Sequence, residues 1–193
     1  MIIIEINKEK LHNKGIETVE VELNSEYVNP AIEQVLARST YSSDDVQAFS
    51  LTITGHDNRA ESVAILGNVD AVLHRNTKNL MLSDNLKSCK SVVFIYTLYI
   101  ETDFSGCGIA SYILERLHIW VKQELGCGVD AVLLSPVPQY KNEEGAIVQV
   151  PIGVEYFVQV MKLINFYKDR GFEFCDDLLI MAKPTLKNSE KPK

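Results

Sequence analysis

The chain has 193 residues, of which 46% are hydrophobic and 23% are charged, and its formal net charge is −7. This length suits one globular domain that buries most of its apolar surface without disulfide or metal support. An acidic net charge disfavours nucleic acid and anionic membranes as partners and slightly favours cationic or amine ligands. We therefore expect partners that include neither nucleic acid nor a membrane.

The four cysteines, Cys89, Cys107, Cys127 and Cys175, form no C-x-x-C pair and show no Cys/His spacing typical of zinc sites. Neither a metal site nor a disulfide framework is indicated. The N-terminal isoleucines are too few for a signal peptide, and no segment reaches the roughly 20 apolar residues of a membrane span. These features predict a cytoplasmic protein with reduced cysteines.

The first half of the chain reads mainly as strands. Alternating apolar residues predict strands over 1–6 and 16–23, joined by a polar turn at Gly15, and another strand over 48–54. A helix is predicted from Pro30, where proline fits the first turn. Segments 62–68 and 70–76 form two strands, or one strand broken near Gly67. This half therefore favours an antiparallel sheet.

The centre of the chain changes from strand to helix. A continuous apolar run over 92–100 predicts a buried strand, and helical spacing from Ile109 through Ile113 and Leu117 predicts a long helix that Gly126 ends. The apolar run that begins at Val129 predicts a strand buried on both faces. Strand, helix and strand in this order imply a right-handed crossover and parallel pairing.

The C-terminal part predicts a long loop over 139–153, which holds a short strand and is typical of lids or binding loops. A second amphipathic helix over 155–170 directs Val158, Met161, Ile164 and either Phe166 or Tyr167 toward the core. One or two strands within 172–184 close the sheet. The chain is thus predicted to be one α/β domain over 1–184, with a disordered tail over 185–193.

The turn between the central strand and its helix has the sequence Ser105-Gly106-Cys107-Gly108-Ile109-Ala110. Small residues allow close approach of a ligand to the backbone, and the free N–H groups of a new helix bind anions. The Rossmann pattern G-x-G-x-x-G has Ser111 at its last position, and a P-loop would need Gly-Lys-Ser/Thr. A turn that uses glycine for geometry alone is the remaining alternative.

Two segments resemble motifs of the GNAT-type acetyltransferases. The segment LYIETDFSGCGIASYIL, residues 98–114, resembles their strand and Arg/Gln-x-x-Gly-x-Gly/Ala turn, and INFYKDRGFEF, residues 164–174, resembles their "FYEKLGF" segment. The resemblance covers 92–184 and implies a GNAT-like mixed sheet, antiparallel in its N-terminal half, parallel at its centre and flanked by helices. Ser105 replaces the usual Arg or Gln, and Val160 replaces a frequent asparagine.

The resemblance implies an N-acetyltransferase that moves an acetyl group from acetyl-coenzyme A to a primary amine of a small molecule, peptide or protein. Transfer would be direct and would need no metal. The family binds the pyrophosphate on the turn amides and the pantetheine along the preceding strand. The coenzyme-binding residues would then be Leu98, Tyr99, Ile100, Ser105, Gly106, Cys107, Gly108, Ile109, Ala110 and Ser111.

The resemblance also implies that Tyr167 is the general acid that protonates the departing thiolate. An unperturbed phenol has a pKa of about 10, so it keeps its proton until the thiolate forms. Alternatively, Tyr167 is a packed helix aromatic. Glu101, at the end of the strand, is a candidate base. A water held by Tyr96, Thr97, Ser135 or Glu155 is the alternative base.

The acceptor is predicted to lie between the N-terminal helix region and the loop over 139–153. Glu143, Glu144 and Glu155 either favour a cationic acceptor or are solvated charges. A free edge of the mixed sheet is compatible with a homodimer. The competing hypothesis is a GNAT-shaped binding or regulatory module without catalysis, because Ser105 is not basic and the base is unassigned.

Overall fold

The computed structural model describes residues 2–4, 8–26, 29–37, 44–59, 61–78, 80, 84–175 and 179–185. These ranges contain an alternation of strands and helices that begins and ends with a strand. The elements in chain order are β1 (Ile2–Ile4), α1 (Lys8–His12), β2 (Thr18–Asn24), α2 (Pro30–Ala37), β3 (Val46–His56), β4 (Ser62–His74), β5 (Val92–Ile100), α3 (Ile109–Leu125), β6 (Ala131–Leu134), β7 (Gln139–Lys141), β8 (Ile147–Gln149), α4 (Val154–Lys168), β9 (Glu173–Phe174) and β10 (Met181–Pro184).

Eight of these strands form one mixed sheet in the order β1-β2-β3-β4-β5-β6-β10-β9. The pairs from β1 to β5 are antiparallel, β5 and β6 are parallel, and β10 runs antiparallel to both β6 and β9. The helix α3 connects the two parallel strands, as the strand, helix and strand order predicted. The predicted α/β class, with an antiparallel first half and a parallel centre, is confirmed.

The N-terminal half differs from the prediction at two points. The segment before β2 is not a simple turn, because α1 forms there and buries Leu11. The strand near Gly67 is one continuous element, β4, whose register against β3 shifts between Ile53 and Thr54. A β-bulge takes up the extra residue without ending the pairing, so the strand is neither divided in two nor broken near Gly67.

The core follows the alternation of side chains along the central strands. Val93 and Ile95 of β5 pack into the main hydrophobic cluster, whereas Val92 on the opposite face belongs to a smaller one. All four residues of β6 are buried, as predicted for a strand covered on both faces. The main cluster also receives buried side chains from α1, α3 and α4.

The predicted core face of α4 is partly wrong. Val158 and Met161 are 43% and 56% exposed, whereas the buried residues are Val160, Ile164 and Tyr167. Apolar residues surround the first two turns of this helix, so their spacing does not select a face. Packing of Tyr167 against Phe172, with ring centroids 5.8 Å apart, accompanies the observed orientation.

Two further segments clarify the C-terminal part. The loop over 139–153 contains a two-stranded hairpin, because β7 pairs with β8 in antiparallel register. The predicted tail falls outside the described residues from 186 onward; Thr185 still donates its N–H to Asp130 O. Within the described ranges, no helix is long and apolar enough to cross a membrane. The four cysteines form no disulfide with one another.

Candidate functional site

The parallel strands β5 and β6 separate at the centre of the sheet. Their pairing covers only Val92–Ile95 against Ala131–Leu134, although β5 continues to Ile100. The other edge of β5 stays paired with β4 up to Ile100. On the β6 side, no described strand pairs with residues 98–100, and the side chain of Gln139 donates to Tyr96 O. This separation leaves polar backbone groups at the end of β5 available to a ligand.

The turn after β5 has the backbone geometry of an anion site. Gly106 and Gly108 have positive φ values of 75° and 87°, which side chains with a Cβ rarely adopt. Gly108 precedes α3, and the first N–H groups of a helix have no intrahelical acceptor. Cys107 differs from its neighbours, because its side chain is buried and its N–H donates to Phe104 O.

A cavity of about 490 Å³, which we call the turn cavity, opens beside this turn. The predicted coenzyme residues from Ser105 to Ser111 line it, except Cys107. Leu98 and Ile100 line it from β5, and α4 contributes Phe166 and Arg170. A volume in this range suits a small-molecule ligand. The turn and the C-terminal end of α4 thus face one cavity.

A second cavity of about 450 Å³, which we call the hairpin cavity, lies beneath the β7–β8 hairpin. It is lined by residues of β5, of the segment after β6, of β7 and of α4. These include Tyr96, Tyr99, Ser135, Gln139, Tyr140 and Lys141. All of its described lining residues lie between Ile95 and Tyr167, so the expected contribution of the N-terminal helix region is not found among them.

Tyr167 lines both cavities, as do Leu98, Ile100 and Ser105. Its side chain belongs to the main core cluster and is only 6% exposed. Burial raises the pKa of the Tyr167 phenol to about 12, because an apolar environment disfavours the phenolate. The phenol therefore stays protonated at neutral pH, and the residue that carries it borders both cavities.

Glu101 lines neither cavity but contacts two residues that line the hairpin cavity. Its Oε1 accepts a hydrogen bond from Lys141 Nζ at 2.6 Å, and its Oε2 accepts one from Tyr99 O–H at 3.4 Å. The hydrogen bond and charge of Glu101 raise the pKa of Lys141. Burial, followed by the charge of Glu101, raises the pKa of Tyr99. The carboxylate thus ties the hairpin to the end of β5.

Of the four residues predicted to hold a catalytic water, two line the hairpin cavity and two do not. Tyr96 and Ser135 line the hairpin cavity, although Ser135 Oγ donates to Leu179 O. Thr97 is buried, and Glu155 accepts a hydrogen bond from Gln159 Nε2 at 3.0 Å. Of these four residues, Tyr96 and Ser135 therefore border the space that an acceptor would enter.

Two basic residues beside the turn were missed by the sequence analysis. Arg170 Nε donates to Ser111 Oγ at 2.8 Å, and the guanidinium lies 3.5 Å from the centroid of the Phe166 ring. Lys10 of α1 donates to Gly106 O at 3.2 Å across 96 positions of sequence. Arg170 lies inside the INFYKDRGFEF segment and was detectable there, whereas no local signal connects Lys10 with the turn.

Several solved structures are similar in fold to this chain. No family model matches the sequence, and no curated protein matches it. Among solved structures, AtaTR bound with AcCoA is 13% identical, with a TM-score of 0.44, and the match covers 86% of this chain and 93% of that chain. AtaT complexed with acetyl-methionyl-tRNAfMet is 16% identical, with a TM-score of 0.42 and coverages of 86% and 95%. An acetyltransferase of the GNAT family from Staphylococcus aureus Mu50 is 12% identical, with a TM-score of 0.38 and coverages of 86% and 100%.

GNAT proteins are therefore among the solved structures that this chain resembles in fold. Likeness at these identities concerns the path of the chain and not the chemistry of its site. Among the described residues, no three His, Cys, Asp or Glu side chains form a group that could hold a metal ion.

The expectation that the partners exclude nucleic acid is wrong. A structure similar to this chain is a complex with acetyl-methionyl-tRNAfMet, which conflicts with the exclusion. The net charge of −7 is a sum over the whole surface, whereas binding depends on the local field. Lys141 and Lys162 line the hairpin cavity, and Arg170 lines the turn cavity, so positive charge is concentrated near the candidate site.

Proposed function

We propose that this protein is an acetyl-coenzyme A-dependent N-acetyltransferase that transfers the acetyl group directly to a primary amine. One observation carries the proposal: a buried, protonated tyrosine lies where two cavities meet beside the free edge of β5. The turn cavity would hold the coenzyme, and the hairpin cavity would hold the acceptor. The thioester would then lie between them, next to Tyr167.

The turn cavity suits the phosphate end of the coenzyme. The N–H groups of Ile109, Ala110 and Ser111 begin α3, where the helix dipole favours negative charge. Ser105 provides no charge, but the guanidinium of Arg170 is within hydrogen-bond distance of Ser111. We propose that Arg170, with Lys10 on the other side of the turn, supplies the positive charge that the motif lacks.

The reaction requires an amine to attack the thioester carbonyl carbon. The new C–N bond forms a tetrahedral oxyanion, and backbone N–H groups on the free edge of β5 are suited to stabilise it. The C–S bond then breaks, the ammonium proton passes to water, and Tyr167 O–H protonates the thiolate and regains a proton from that water. A phenol with a pKa of about 12 is a weak acid for this step, but burial also raises the pKa of a thiol.

Glu101 has a different proposed role from the one its position in the sequence suggested. Its carboxylate already accepts hydrogen bonds from Lys141 and Tyr99. A carboxylate whose two oxygens both accept hydrogen bonds from protein side chains, and which lines neither cavity, is poorly placed to receive the amine proton. We therefore propose that Glu101 positions the hairpin, while water between Tyr96 and Ser135 accepts the amine proton.

A thermal-shift titration with acetyl-coenzyme A tests the proposal. A ligand at 100 times its Kd stabilises the folded state by about 2.7 kcal/mol, which for a chain of this size raises the Tm by roughly 5–10 °C. The control ligand is NAD⁺, which shares the adenosine and pyrophosphate but lacks pantetheine. We expect a clearly larger shift with acetyl-coenzyme A. No shift at millimolar acetyl-coenzyme A would refute the proposal.

Activity is then measured as thiol release, corrected for spontaneous hydrolysis, with a panel of primary amines. Acetylation of at least one amine is expected. Coenzyme binding without transfer to any amine, including aminoacylated RNA, would instead support the alternative of a binding or regulatory module.

A further inference from the structure

The hairpin cavity differs in charge from what the acidic chain as a whole would suggest. Its described lining includes two lysines, Lys141 and Lys162, and no aspartate or glutamate. The remaining polar lining consists of hydroxyl and amide groups, among them Tyr96, Tyr140 and Gln139. A site that recognises a polycation needs several carboxylates to neutralise its charges. This cavity is therefore unsuited to a polyamine or to a strongly basic peptide.

The acidic residues that the sequence placed near this loop do not change this balance. Glu143 and Glu144 are exposed at the tip of the hairpin and do not line the cavity. Glu155 accepts a hydrogen bond from Gln159 and lies outside the lining as well. Glu155 thus contacts Gln159, a neutral lining residue, whereas Glu101 is paired with the lining residue Lys141 at 2.6 Å. The charge of Glu101 offsets that of Lys141.

Lys162 then provides the uncompensated charge of the cavity. It lies on α4 five residues before Tyr167, and it lines both the hairpin cavity and the turn cavity. In the part of the chain that the structure describes, Lys162 has no ion-pair partner, in contrast to Lys141. An ammonium group beside the proposed reaction centre repels a second cation and attracts an anion.

We propose that the acceptor is an amine carried on a molecule with a negative group close to that amine, and that Lys162 binds this group. This inference rests on the proposed function. The negative group can be the carboxylate of an amino acid, the phosphate of a phosphorylated amine or the phosphodiester of an aminoacylated RNA. All three share an oxyanion that a lysine can pair with.

The test compares acceptors in matched pairs that differ in the negative group. The pairs are O-phosphoethanolamine with ethanolamine, and phenylalanine with 2-phenylethylamine; aminoacylated RNA and spermidine complete the panel. In at least one pair, we expect kcat/KM to be about tenfold higher for the acceptor with the negative group than for the acceptor without it. One charge-assisted hydrogen bond allows a difference of this size. Spermidine should be the poorest acceptor.

The variant Lys162→Gln should remove most of this preference, measured as the ratio of kcat/KM within a pair at saturating acetyl-coenzyme A. Lys162→Arg should retain it. The matched control is Lys168→Gln on the same helix, because Lys168 lies over the Phe174 ring and lines neither cavity. Its ratio should equal that of the wild type.

Several results would overturn the inference. The inference is contradicted if the wild-type enzyme has an equal kcat/KM for acceptors with and without the negative group, or for spermidine. An unchanged ratio of kcat/KM in Lys162→Gln contradicts it too. The outcome is separate from that of the proposed function: a protein that does not bind acetyl-coenzyme A fails at the thermal-shift experiment. If the protein binds the coenzyme and prefers amines without a negative group, only the inference about the charge of the acceptor is refuted.

Discussion

The two cavities beside Tyr167 are built in different ways. The turn cavity is lined by the end of β5, the positive-φ glycines and the first turn of α3, together with residues of α4. The hairpin cavity is lined by residues with longer polar side chains, among them Tyr96 on β5, Gln139 and Lys141 on β7, and Lys162 on α4. Backbone groups give the first cavity a geometry that many sequences can share. Side chains give the second its charge and shape.

This difference separates what is general from what is particular to this protein. A coenzyme common to many enzymes can be bound by N–H groups, which do not depend on side-chain identity. An acceptor must be distinguished from other amines, and that discrimination needs charged and polar side chains at fixed positions. Tyr167 joins the two parts, because it belongs to both linings.

The change with the largest expected effect is Tyr167→Phe, which removes the O–H group of a residue that lines both cavities. We expect turnover to fall by about 100-fold or more, because general acid catalysis contributes about this much. The thermal shift with acetyl-coenzyme A should remain, since the ring still packs against Phe172. The control is Tyr156→Phe on the same helix, which should retain activity. Unchanged turnover in Tyr167→Phe would remove this residue from the mechanism.

The next effect concerns the turn cavity. Arg170→Gln removes the guanidinium beside Ser111 and should raise the Kd for acetyl-coenzyme A by about tenfold, the size of one charge-assisted hydrogen bond. Binding of acetyl-pantetheine, which lacks the pyrophosphate, should be unaffected. The control is Arg116→Gln, because Arg116 lies over the Tyr112 ring. Equal weakening of both ligands would assign Arg170 a structural role instead.

A smaller effect is expected from the contact between Glu101 and the hairpin. Glu101→Gln and Lys141→Gln each remove the same ion pair, so both should lower turnover by a similar factor of about three, typical of a partly exposed pair. The double variant should be no worse than either single variant. A 100-fold loss in Glu101→Gln alone, with loss of the acidic limb of the pH profile, would identify Glu101 as the base.

The pH dependence of the rate tests the same tyrosine, Tyr167, without any substitution. Because the pKa of Tyr167 is raised to about 12, its phenol stays protonated as the pH rises from 7 to 10. The rate should therefore rise as the amine acceptor loses its proton and then level off. A bell-shaped profile that falls again below pH 10 would contradict Tyr167 as the buried acid. Initial rates with an amine of known pKa measure this profile.

The sequence by itself determined the centre of the molecule. The apolar run of β5, the glycine turn and the helical spacing of α3 are contiguous, and local periodicity specified the bounds Val92–Ile100 and Ile109–Leu125. The parallel pairing of β5 with β6 followed from the crossover rule. Backbone conformation depends mainly on neighbours along the chain, so short-range patterns were sufficient there.

Tertiary structure alone decided the remainder of the site. Lys10 meets Gly106 across 96 positions, and Lys141 meets Glu101 across 40 positions, so no local pattern connects either pair. The orientation of α4 also depended on packing, because apolar residues occupy all sides of its first turns and their spacing selects no face. In the folded protein, Val158 and Met161 are exposed and Tyr167 is buried. Contacts between distant segments form only when the sheet brings these segments together. These contacts place the charged side chains of Lys10 and Lys141 near the site.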